Sequence, residues 1–106
     1  MDKVEKAILK RFKMLLSQQV KLDKIILFGS RARGDAALSS DMDLIVILDD
    51  PVDDETRDYV SDCAWEAGFE YGIVVVPFVF NKNEWNNGPE RYSLFVKAVE
   101  MEGVPF

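Results

Sequence analysis

Histidine is absent from this 106-residue chain, and cysteine occurs once, at Cys63. Without imidazole there is no histidine general base and no Cys/His zinc centre, and one thiol cannot close an internal disulfide. Long apolar runs are missing too. No stretch approaches the roughly 20 residues needed to cross a bilayer, and no leader-like segment is evident, so a cytoplasmic protein without membrane attachment is expected. Positive charge is in the minority: 13 lysines and arginines stand against 19 aspartates and glutamates, a formal charge of −6. That balance disfavours sequence-independent binding to a phosphate backbone, and with it a nucleic-acid partner. Repeats, linkers and low-complexity segments are also lacking, and the length suits one domain, residues 1–106, around one modest core.

What is present concentrates in IILFGSRARGDAALSSDMDLIVIL, from Ile25 to Leu48. An apolar strand ends on Gly29-Ser30, a polar connection follows, and a second strand opens with Asp41-Met42-Asp43. In a strand, residues i and i+2 share a face about 6–7 Å apart, so Asp41 and Asp43 point together while Met42 points away. The strand is apolar on both faces beyond them and should be covered on both. Two carboxylates at the mouth of a buried strand repel each other and call for a cation, either a metal or an arginine. Arg33 is a candidate for pairing with Asp41 or Asp43 directly; a divalent metal is the other solution. Gly29 lets the backbone turn sharply and approach a ligand, and the following helical turn with the Ser30 hydroxyl suits a phosphate. Mg²⁺ is commonly held by one or two carboxylates together with substrate phosphates, which joins the two halves of the stretch.

Gly29-Ser30, Arg31-Ala32-Arg33-Gly34, Ser40 and Asp41-Met42-Asp43 together resemble the G-S-x-A-R-G…S-D-x-D-L signature of the minimal nucleotidyltransferases, in the DNA polymerase β-like nucleotidyltransferase superfamily. The resemblance implies a polymerase β palm-like fold and a Mg²⁺-dependent transfer of a nucleoside monophosphate, AMP from ATP or the equivalent from another NTP, to a hydroxyl. It implies Asp41 and Asp43 as catalytic ligands of one or two Mg²⁺ ions. Gly29, Ser30, Arg31, Arg33 and Ser40 would form the nucleotide site, with Arg33 offsetting charge on the leaving pyrophosphate. Stand-alone members are similar to MntA-like antitoxins of two-component toxin–antitoxin modules, which implies a HEPN-domain toxin as partner and its tyrosine as acceptor. One departure stands out. The family usually places a third carboxylate on the strand beside D-x-D, and Ile73–Phe80 contains none. Glu70 is the nearest candidate, in reach only if that strand begins early. The departure keeps a second function open, a nucleotide-binding or protein-binding module that retains the fold and lacks the chemistry.

The remaining segments read as scaffold. Asp2 to about Ser17 has helical spacing, with Val4, Ala7, Ile8, Phe12 and Leu15 as its apolar stripe. Lys24–Phe28 is the first strand. Acidic residues at 53–55 cap a helix from about Asp54 to Ala67 that Gly68 ends, with Cys63 as a small core residue. Gly72–Phe80 is the third strand, and Pro77 places part of it at an edge or bulge. Ile73–Phe80 of that strand is a surface for a homodimer or protein partner, unless the C-terminal helix covers it, and the C-terminal helix is the alternative homodimer surface. Asn81–Gly88 reads as a polar loop, and Pro89 opens a last helix with Tyr92, Phe95, Val96 and Val99 inward, ended by Gly103. Trp65, Tyr71 and Trp85 are either core and rim aromatics or rings that stack on a base. The predicted fold is α/β, a single small domain with a three-stranded mixed sheet flanked by helices.

Overall fold

A computed structural model describes residues 1–37, 39–89 and 93–106. Its elements run α1 (Lys3–Leu16), β1 (Leu22–Phe28), α2 (Ser30–Arg33), β2 (Met42–Leu48), α3 (Asp54–Phe69), β3 (Val75–Asn81), α4 (Lys82–Asn87), α5 (Leu94–Glu102) and β4 (Val104–Pro105). The strands form one mixed sheet in the order β3-β2-β1-β4. β1 and β2 pair antiparallel with Phe28 opposite Asp43, and β3 joins β2 in parallel with Val76 opposite Asp43. The end of β1 and the starts of β2 and β3 therefore meet at one end of the sheet. A parallel pair needs a crossover, which α3 supplies.

The fold has four strands where three were predicted. β4 is only two residues long and includes Pro105, so it carries no alternation to read, yet it pairs with Ile26 and Leu27 at the edge. Asn81–Gly88, read as a loop, contains α4. Asn81 accepts from the Asn83 N–H at 2.8 Å, and Glu84 closes the capping box. Trp85 of α4 packs on Phe80 with ring centroids 5.1 Å apart and is buried, so it serves the core. The last helix begins at Leu94, capped by the Ser93 hydroxyl, rather than at Pro89. Tyr92 lies outside the described residues, and Phe95 is 40% exposed rather than inward. β3 is an edge strand, consistent with its proline. The C-terminal helix covers a face of the sheet rather than this edge: Val96 and Val99 pack with Ile45, Ile47 and Trp85.

The other face is covered by α1 and α3, where Met42, Leu44, Val46 and Leu48 meet Ile8, Leu9, Phe12, Leu16, Val60 and Ala64. The buried stripe of α1 is displaced from the one predicted: Leu9 and Leu16 are inside, Val4 is partly exposed, and Glu5 faces inward. Gly68 likewise departs from expectation, because α3 continues through it to Phe69. A Cβ there would lie 2.0 Å from the Ile73 carbonyl oxygen, so glycine permits close approach of the chain entering β3. In an open helix Gly→Ala gains about 1 kcal/mol. Here Gly68→Ala is expected to lose stability instead, read as a lower urea midpoint, and a raised midpoint would refute the close approach.

Candidate active site

Strand period and register build the site. Met42 is fully buried against the α1/α3 layer, so its neighbours Asp41 and Asp43 turn to the opposite face, at the open end of the sheet. Gly29, one residue past β1, has φ +77°, and a Cβ on it would lie 2.9 Å from Asp43 Oδ2. The glycine is thus required twice, by its backbone conformation and by the carboxylate pressed against it. Burial pushes the Asp43 carboxyl above its ordinary value, and the charge of Asp41 pushes it further. None of the ion pairs among the described residues involves Asp41 or Asp43. The arrangement is an uncompensated acidic pair beside a close-packed backbone turn that ends in Ser30.

The two arginines of the motif separate. Arg31 is buried: Nη1 donates to Glu5 Oε2 at 3.1 Å, while Nη2 and Nε donate to the Ser40 carbonyl at 2.8 and 3.0 Å. Glu5 also accepts from the Asp2 N–H at 3.0 Å as half of the α1 capping box. Arg31 therefore ties α1 to the loop that delivers Asp41, and Ser40 takes part through its backbone. Arg33 is half exposed and faces Asp35 at 3.3 Å and Glu102 at 3.7 Å. The direct Arg33 pairing with Asp41 or Asp43 is not what the structure forms.

Glu70 is not brought to the pair. It caps the C-terminus of α3, and β3 starts later than expected, at Val75. It lines a cavity of about 670 Å³ with Arg11, Asp62, Trp65, Glu66 and Phe69, none of which belongs to the site. Among the described residues no group of three carboxylates could hold a metal. Trp65 and Tyr71 are exposed residues of α3 and the turn after it, so they are rim rather than core aromatics. The rings beside Asp43 are different ones. Phe28, its β1 partner, meets Phe78 at 5.5 Å and Phe95 at 5.6 Å between centroids. Sequence reading missed these, and Glu5 as well. The rings belong to three elements that only tertiary register assembles, while Glu5 was visible as half of an Asp-x-x-Glu capping box.

Fold and site together define a small α/β domain with a glycine-serine turn set against a D-x-D pair. A family profile for the nucleotidyltransferase domain matches residues 6–100, and the chain belongs to that family. Two proteins of Methanocaldococcus jannaschii, each named "Putative protein adenylyltransferase", are similar to it. One is 32% identical over 99 residues, covering 92% of this chain and 93% of that protein; the other is 38% identical over 66 residues, covering 62% and 61%. A crystal structure of a toxin–antitoxin with AMP-PNP shares the fold at a TM-score of 0.58 and 23% identity, covering 91% of this chain and 69% of the other. A chain from the structure of a tri-AMPylated Shewanella oneidensis HEPN toxin in complex with MNT antitoxin does so at 0.53 and 21%, covering 96% and 70%.

Proposed function

We propose that this nucleotidyltransferase moves AMP from ATP to a hydroxyl of a protein partner in a Mg²⁺-dependent reaction, and that it acts as the antitoxin half of a pair with a HEPN-domain toxin. The observation that carries the chemistry is the acidic pair, uncompensated by any described cation and packed against the Gly29 turn. The donor set suits Mg²⁺, which takes one or two carboxylates with phosphate oxygens. Asp41 and Asp43 would hold it. Bound, it neutralises charge and polarises the reacting phosphate. Gly29 and Ser30 orient the β- and γ-phosphates, Arg31 fixes the loop carrying Asp41, and Arg33 lies free enough of the core to meet the leaving pyrophosphate. Catalysis by such residues is positioning and electrostatic stabilisation.

The names of the similar proteins support AMP and a protein acceptor, and the fold neighbours support the toxin partner. A tyrosine acceptor suits a site with two carboxylates, because a phenol ionises near pKa 10 and needs less help from a base than an aliphatic alcohol. A binding module without transfer is the second reading, favoured by Val76 occupying the β3 position beside Asp43. Melting curves with ATP in Mg²⁺ or in EDTA, followed by α-labelled ATP incubated with a HEPN-domain protein, test both. A Mg²⁺-dependent rise in Tm with label on the partner is expected. Stabilisation without labelling of any acceptor would hand the case to the binding module, and labelling undiminished in EDTA would remove the metal.

A further inference from the structure

Resting on the reading of Asp41 and Asp43 as the transfer centre, we infer that the acceptor approaches over β3, and that Val76 and Phe78 select it by apolar contact while denying water that position. The sheet order puts Gly29-Ser30 of the β1 end on one side of the acidic pair and β3 on the other. In-line displacement sets the attacking oxygen opposite the leaving group. With the β- and γ-phosphates held at the β1 end, attack comes from the β3 side. The acceptor oxygen bonds to the α-phosphorus as the bond to the α,β-bridging oxygen breaks, pyrophosphate leaves with the electron pair, and the acceptor's proton passes to solvent.

The β3 residues facing that path are fixed by register. Val76 lies opposite Asp43 and Phe78 opposite Ile45, so both share the aspartates' face. The Phe78 contact with Phe28, itself opposite Asp43, confirms the orientation independently. Phe78 is 39% exposed and Phe95, 6.3 Å away between centroids, is 40% exposed, so the wall has ring surface available to a ligand. Val76, opposite Asp43, brings no carboxylate to that position, so β3 offers no base there to activate water or an aliphatic alcohol. The acceptor is accordingly a hydroxyl that ionises readily on its own and carries an apolar flank; a nucleic-acid acceptor is disfavoured by the chain's −6 charge.

The test uses water and two small acceptors, N-acetyltyrosine amide and N-acetylserine amide, with Mg²⁺ and ATP. Val76→Asp is expected to raise release of AMP and pyrophosphate to water by about 10²-fold, as a general base does, and to raise labelling of the serine amide. Phe78→Ala is expected to raise KM for the tyrosine amide by about tenfold while KM for ATP stays put. If both variants, folded by circular dichroism, stay within about twofold of the parent in hydrolysis and acceptor KM, attack does not come over β3 and the inference falls. If instead Asp43→Asn leaves the Mg²⁺–ATP melting shift intact, the transfer centre itself is misplaced, a failure separate from that of the wall.

Discussion

Asp43→Asn is expected to lower AMP transfer by about 10²–10³-fold while making the free protein more stable near neutral pH. The two effects share one cause. Burial first, and the Asp41 charge second, hold the Asp43 carboxyl above its ordinary 3.8, so the folded chain resists the ionisation that the proposed metal-holding role calls for. Between the unfolded and the raised folded value the native state binds more protons, and stability falls as pH rises through that window. The amide has no such fall. The stability difference between variant and parent should therefore be smallest at acid pH, grow as pH climbs past about 4, and level off above the folded value. Urea unfolding of both proteins across that range measures it, beside label transfer at neutral pH. A variant less stable than its parent at neutral pH would mean that a cation already compensates the pair in the free protein. Transfer at the parental rate would mean that Asp43 is not in the reaction.

Local chemistry was legible and long-range docking was not. Gly29, Ser30, Asp41 and Asp43 could be placed on one end of two strands because strand period and turn chemistry are short-range properties, and the register of Phe28 with Asp43 agrees with them. Helix α4 was readable in principle from Asn81 and Glu84, but its six residues are too few for a periodic signal to outweigh their polarity. Strand β4 had no local signal, since it exists only because β1 offers an edge to Val104 and Pro105. The stripe of α1 was misread by about one position for a related reason. Glu5 faces inward because Arg31, 26 residues away, waits there, and no window on the helix contains that arginine. Gly68 looked like a helix terminator because sequence shows conformational freedom and hides close approach, which here is to the Ile73 carbonyl.

Arg31→Met is expected to destabilise the protein by about 3–5 kcal/mol, the usual cost of leaving a buried charge without its partner. At about 4–8 °C per kcal/mol for a domain of this size, Tm should fall by more than about 10 °C. The Arg31 and Glu5 side chains are only 4% and 7% exposed, so the carboxylate left behind cannot reach water without disturbing the α1 capping box it also closes. The Ser40 carbonyl loses two donors at the same time, which loosens the residue before Asp41. Arg33→Met offers the contrast. Its partners Asp35 and Glu102 are more than half exposed, and such surface pairs are worth about 0–1 kcal/mol. Arg33→Met should leave Tm nearly unchanged and weaken nucleotide transfer, whereas Arg31→Met should lose stability first and Mg²⁺–ATP binding as a consequence. Adding Glu5→Gln to Arg31→Met should recover part of the loss, because the orphaned charge is gone. Should Arg31→Met melt like the parent yet fail to bind ATP, Arg31 would be a phosphate contact after all, and its bond to Glu5 incidental.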